Sequence, residues 1–190
     1  MARSDGDDAE DGGTSSERLG WPAGRGGVRE RLGWAADPAT LRRIRRLWQR
    51  HSIAEDRRDI DGLISTLAPE CVYEIVGTGL RWERHDGARA FYTELFAAFP
   101  DNRFGLTDIV IGPQGVFEAV ILEATHEGAF AGLEPTGRRV RLELAILFPW
   151  DPASERFAGE QIFIDRTPLE PRDRRRAPPP PGPGDEARAL

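Results

Sequence analysis

No lysine occurs in the 190 residues, so all 26 basic side chains other than histidine are arginines. That absence excludes Schiff-base catalysis by a side-chain amine and the phosphate-cradling P-loop, both of which need a lysine. Cys71 is the only cysteine, which excludes an intramolecular disulfide and a cysteine-built zinc cluster. No apolar run approaches the roughly 18 to 20 residues of a membrane span. The segment from Met1 to Thr14 is polar and acidic, unlike a basic and apolar signal peptide; the cytoplasm is the expected compartment. There is no basic surplus either. The formal charge is −6, whereas a nucleic-acid binder normally carries a basic face. No Gly-x-Ser-x-Gly elbow, paired-histidine helix or dinucleotide glycine fingerprint is found. His51, His85 and His126 are too scattered in sequence for a spacing-based metal motif.

What is present divides into three stretches. Residues 1–37 are rich in Gly, Asp, Ser and Arg without a sustained period, and read as a disordered tail with a helix fragment near Val28 to Leu32. They carry a near-repeat, Leu19-Gly20-Trp21 and Leu32-Gly33-Trp34, read as coincidence or as a short docking motif. Residues 169–190 contain Arg174-Arg175-Arg176 and Pro178 to Pro181 and read as a second, partly polyproline-like tail. Between them, residues 38–168 form one domain of ordinary size.

Within that domain the hydrophobic period changes from about four to two. Leu41, Ile44, Leu47, Trp48 and His51 recur at helical spacing after Pro38-Ala39-Thr40, with Thr40 expected as the N-cap. A second helix is expected over 59–67, and a third from Asp86, with Phe91, Leu95 and Phe99 as its stripe and Pro100 as its stop. Strands are expected over 71–76, 104–111, 116–127, 140–148 and 157–166. Helices first and an antiparallel meander afterwards give an α+β architecture.

Asp165 is the leading candidate for chemistry. It follows Ile162, Phe163 and Ile164 on an alternating strand, and a carboxylate there is costly to bury unless paired or used. Its alternative is a strand-end carboxylate paired with arginine. Glu160 lies five residues earlier, so the two should point to opposite faces. His126 ends its strand on the parity of Val120 and Leu122, as a core residue or an auxiliary donor. Tyr73, Trp82 and Tyr92 could line a pocket with Phe163, or serve the core.

The segments His51-Ser52-Ile53-Ala54-Glu55, Ala98-Phe99-Pro100-Asp101, Thr125-His126-Glu127-Gly128 and Pro135-Thr136-Gly137-Arg138-Arg139 occur in a telling order, closing on Glu160 and Asp165. In that order they resemble the SnoaL-like polyketide cyclase (ester cyclase) family of the nuclear transport factor two-like superfamily, over about His51 to Thr167. The resemblance implies a cone-shaped roll, with a curved antiparallel sheet packed on about three helices, and often a homodimer formed through the sheet. It implies a cofactor-free and metal-free enzyme that binds a small apolar carbonyl compound and closes a ring by aldol attack, or isomerises it. Asp165 would be the acid/base, with His126 as helper. Two departures stand out. Pro168-Leu169-Glu170-Pro171 replaces the family's usual Leu-rich ending. The superfamily also contains binding modules, so a non-catalytic small-molecule-binding or dimerisation domain is the alternative.

Overall fold

A computed structural model describes residues 27–171. The order of elements is α1 (Val28–Leu32), α2 (Pro38–Asp56), α3 (Ile60–Ile64), β1 (Leu67–Ile75), β2 (Leu80–Glu83), α4 (Arg84–Ala98), β3 (Arg103–Gly112), β4 (Gly115–Thr125), β5 (Arg139–Asp151) and β6 (Arg156–Ile164). A 3-10 turn over Thr167–Leu169 follows. The expected α+β class holds. Six strands form one curved open sheet in the order β2-β1-β6-β5-β4-β3, with α2 and α4 packed on its concave side. The meander β3 to β6 is antiparallel, as expected. Strand β1 adds a parallel pairing with β6 that periodicity alone did not reveal.

Local sequence accounts for most boundaries. The N-cap of α2 is Asp37 rather than Thr40: its carboxylate accepts from the Thr40 N–H at 2.8 Å, and Pro38 takes the first turn. Helix α3 is shorter than expected, because Leu67 already pairs with Phe157 as the start of β1. Strand β2 has no periodic signature in the sequence, being four residues long with no buried member. The second copy of the near-repeat closes α1, where the Gly33 and Trp34 N–H groups donate to Glu30 O and Arg31 O. The first copy, the acidic N-terminal segment and the Arg/Pro-rich tail lie outside the described residues. Leu169, placed at the head of that tail by composition, is fully buried and belongs to the core.

Inward-facing residues on β4 and β5 are the even-numbered ones: Val116, Glu118, Val120, Leu122 and Ala124, then Val140, Leu142, Ile146 and Phe148. They meet Ile44, Leu47, Phe91, Leu95 and Phe99 from the helices in one core. The outer face is also partly apolar. Val110, Phe117 and Phe163 are exposed on it, with Val110 and Leu147 paired to Phe117 across the sheet.

The parallel β1–β6 pairing depends on Gly159. It sits opposite Val72 with φ of 118°, and a Cβ there would lie 1.9 Å from the Val72 carbonyl oxygen. Only glycine fits a backbone so placed. Gly77 also has positive φ, at 82°, but opens onto free space. Gly159→Ala should therefore cost at least about 3 kcal/mol of stability, against about 1 kcal/mol for Gly77→Ala. Equal losses in urea denaturation would show that the strand contact is not the constraint.

Candidate active site

Strand β6 carries the site because its inward parity is Glu160, Ile162 and Ile164. Glu160 is 3% exposed, and a carboxylate that deep needs partners. They come from three other elements. Tyr92 on α4 donates its hydroxyl to Glu160 Oε1 at 2.7 Å. His51 on α2 places Nε2 3.1 Å from the same oxygen and 2.9 Å from the Tyr92 hydroxyl. Tyr73 is the residue directly opposite Glu160 on β1, and its hydroxyl lies 3.0 Å from that of Tyr92. On its other side His51 Nδ1 is 2.7 Å from Thr66 Oγ1. The imidazole is held edge-on against Phe148 and Phe157, at 5.3 and 6.2 Å between ring centroids.

Glu160 also lines a narrow apolar chamber with Phe91, Leu95, Leu122, Phe130, Ile146 and Ile162. Its free volume is about 20 Å³, enough for an ordered water. A wall formed by Glu55 and Phe104 is shared with a larger side chamber of about 190 Å³ that also touches Trp48, His51, Glu118 and Phe148. The same two residues border a polar outer space with Asp56, Asn102 and Arg103. The interior thus opens to solvent past Glu55 and Phe104.

Three carboxyl groups share this enclosed region, and their electrostatics follow from it. Glu55 is partly exposed as a residue, yet its carboxyl is desolvated among the chambers. Its pKa is held well above the ordinary value by burial first, and then by the negative charges of Glu160, Glu118 and Asp56. Glu118 is pushed up to about 7 by burial, partly offset by the Trp48 indole N–H donating to its Oε2 at 2.7 Å, with Glu160 raising it again. The phenols of Tyr73 and Tyr92 are raised well above the usual range by burial and then by Glu160. They are neutral hydrogen-bond donors at any physiological pH. The Cys71 thiol is pushed up to about 12 by burial, which makes it an inert core residue.

The residues singled out in the sequence divide sharply. Tyr73 and Tyr92 belong to the buried cluster. Trp82 packs edge-on against Phe91 at 5.2 Å and is one layer removed from Glu160. Phe163 is 42% exposed, and it lies on the outer face of the sheet beside Ala119, Ile121 and Ala145. Asp165 is exposed as well, against the expectation of an interior base. Strand β6 ends at Ile164, and the next residue turns outward. Asp165 Oδ1 accepts from the Thr167 N–H at 2.9 Å, and its carboxyl borders an outer groove with Arg138, Arg139 and Arg141. Its pKa is lowered by the bonds from the Thr167 side chain and backbone, the wrong direction for a proton-abstracting base.

His126 is buried but lines neither chamber. It stacks on Phe99 at 5.3 Å, with Nδ1 3.3 Å from Thr136 Oγ1. Burial chiefly depresses its pKa, so it is a neutral core residue. Glu160 and Asp165 do point to opposite faces, but the inner face is the one bearing Glu160. The signal was available: Glu160 shares its parity with Ile162 and Ile164, whereas Asp165 shares its own with Gln161 as well as Phe163. His51, Thr66, Glu55 and Glu118 carried no such signal, since they converge only through the fold.

A family model described as SnoaL-like polyketide cyclase matches residues 40–171. Several solved structures share the fold. One is assigned as a SnoaL-like polyketide cyclase from Jannaschia sp. CCS1, with 19% identity, a TM-score of 0.58, and coverage of 73% of this chain and 99% of that one. Another is IdmH from Streptomyces antibioticus, assigned as a polyketide cyclase, with 21% identity, a TM-score of 0.54, and coverage of 66% and 94%. The epoxide hydrolase/cyclase-like enzyme SalBIII, described in pyran ring formation in salinomycin, gives 17% identity, a TM-score of 0.55, and coverage of 67% and 94%. No curated protein matches the chain.

The raised Glu118 carboxyl makes a stability prediction. Between about pH 4.5 and 7 the unfolded chain has lost the Glu118 proton while the folded chain keeps it. Folded stability therefore falls as pH rises through that window and levels off above it. Glu118→Gln keeps an acceptor for Trp48 and removes the titration. The variant should match the wild type near pH 4 and exceed it above pH 7, by on the order of 3 kcal/mol. Identical pH profiles in denaturation would contradict the assignment.

Proposed function

The chain belongs to the SnoaL-like polyketide cyclase family, and from that premise we propose that it is an acid/base cyclase or isomerase acting on a small apolar carbonyl compound. The observation that carries this reading is Glu160: a buried carboxyl facing an apolar chamber, held by His51 and Tyr92. In this reading Glu160, not Asp165, takes a proton from the carbon next to the substrate carbonyl. The enolate so formed attacks a second carbonyl in the same molecule, forming a carbon–carbon bond. Glu55, whose burial and negative neighbours favour its protonated form, gives its proton to the new alkoxide. A proton then passes from Glu160 back to Glu55 through solvent, restoring both groups. Two carboxyl groups with different protonation in one site are the usual means of running acid and base chemistry together.

Substrate size is constrained. Ligand pockets commonly measure roughly 300–1,000 Å³, and the two interior chambers are smaller. Binding therefore requires the Glu55–Phe104 wall to give way and merge them. The narrow chamber is also what favours the alternative of a module that binds a small ligand without turnover.

Paired variants separate these readings. Glu160→Gln keeps shape and hydrogen-bonding capacity but removes the basic oxygen. With an aromatic polyketide ester as trial substrate, its turnover should fall by roughly 100-fold or more while the ligand dissociation constant changes little. Asp165→Asn should stay within about twofold of the wild type. Loss of turnover in Asp165→Asn with Glu160→Gln unimpaired would return the chemistry to the outer groove. Ligand binding without turnover in the wild type would favour the binding module.

A further inference from the structure

The bonds around His51 determine where its protons sit, and Thr66 determines the bonds. Thr66 is fully buried between α3 and β1. Its backbone is fixed there, because its carbonyl accepts from the Phe157 N–H at 3.0 Å. Its hydroxyl donates to the Leu63 carbonyl at 2.6 Å, at the end of the short helix α3, where the same oxygen also accepts from the Thr66 N–H at 3.0 Å. A hydroxyl has one hydrogen. With that hydrogen committed to Leu63, Thr66 Oγ1 can only accept from His51 Nδ1, 2.7 Å away. Nδ1 must then carry a proton.

The same count applies at the other edge of the ring. The hydroxyl hydrogen of Tyr92 goes to Glu160 Oε1, so towards His51 Nε2 the phenol oxygen accepts. Nε2 faces two oxygens, at 2.9 and 3.1 Å. One proton must lie between Nε2 and Glu160, because two lone pairs at that distance would repel.

We infer that Thr66 is a positioning residue: it fixes the Nδ1-protonated form of His51, so that Nε2 is the edge that shares a proton with Glu160. The inference concerns the same site and rests on the reading of Glu160 as its reactive group, but its physical content needs no substrate. Without the Thr66 acceptor, either tautomer could form. One of the two would turn a bare lone pair on Nδ1 towards the α3–β1 corner and place the ring's only proton on Nε2. The other titratable groups around His51 are Tyr92 on α4, Tyr73 on β1, Glu55 and Asp56 on α2 and Glu118 on β4.

The test is nitrogen-15 NMR of the full chain labelled at histidine, titrated from pH 5 to 9. His51 should show Nδ1 as a protonated, pyrrole-type nitrogen throughout. Thr66→Ser should reproduce this, since serine supplies the same hydroxyl. In a folded Thr66→Val the Nδ1 signal should leave the pyrrole-type range and move towards the pyridine-type one, because the acceptor that holds its proton is gone. A wild-type Nδ1 that resonates as a bare, pyridine-type nitrogen at any pH in the range overturns the inference, even if Thr66→Val fails to fold. So does a folded Thr66→Val with wild-type nitrogen shifts. A purely structural role for Thr66 would change stability and leave the wild-type nitrogen shifts in place. Failure of Glu160→Gln to lose turnover would refute the catalytic reading and leave the NMR result standing.

Discussion

Burying the Glu160 carboxylate is the constraint around which the interior is arranged. A lone carboxylate in an apolar cone would lose several kcal/mol of hydration, and nothing in the core lining compensates for that. Its partners are drawn from α2, α4 and, through Tyr73, β1. Those elements meet only because β1 runs parallel to β6, bringing Tyr73 opposite Glu160 and Val72 against Gly159. The glycine and the glutamate are adjacent in sequence. One permits the strands to approach, and the other uses the space thus formed. Removing a single partner from such a cluster leaves a buried charge exposed to apolar surroundings, a loss typically of about 3 to 5 kcal/mol.

The motifs that carry the family resemblance do a different task. Asp101, ending the Ala98-Phe99-Pro100-Asp101 run, accepts from the Thr125 N–H at 2.6 Å and its hydroxyl at 2.8 Å, and pairs with Arg139 at 2.8 Å. The N–H groups of Glu127 and Gly128 both donate to the Ala98 carbonyl. A Cβ on Gly128 would lie 2.9 Å from Ala98 Cα, so the loop can dock only as glycine. His126 stacks on Phe99, while its backbone exchanges bonds with Arg138 and Gly137. These segments fasten the end of α4 to the β4–β5 connection. They close one side of the cone and set the walls of the chamber without touching Glu160.

This division explains what could be read from the sequence. Periodicity reports which residues share a face, and it gave α2, α4 and the four meander strands close to their observed limits. It does not say which face is inside when both are partly apolar. On β6 that ambiguity reversed the site, since Phe163 and Asp165 looked as interior as Glu160 and Ile162. The parallel β1–β6 register, which decides the matter, is a long-range pairing with no local signature. His51 was visible only as a helical core position, and Thr66 only as a residue near the end of a helix. Their chemistry arises from hydrogen bonds across 15 and 109 positions of sequence.

The central claim is that the inward face of β6, and not its outward end, meets the substrate. The direct measurement is isotope-filtered nuclear Overhauser spectroscopy of the methyl-labelled protein with a small aromatic carbonyl ligand. Contacts from the ligand to the methyl groups of Ile75, Leu95, Ile162 and Ile164 are the predicted result. Contacts confined to the Thr167 methyl, beside Asp165, would contradict the account.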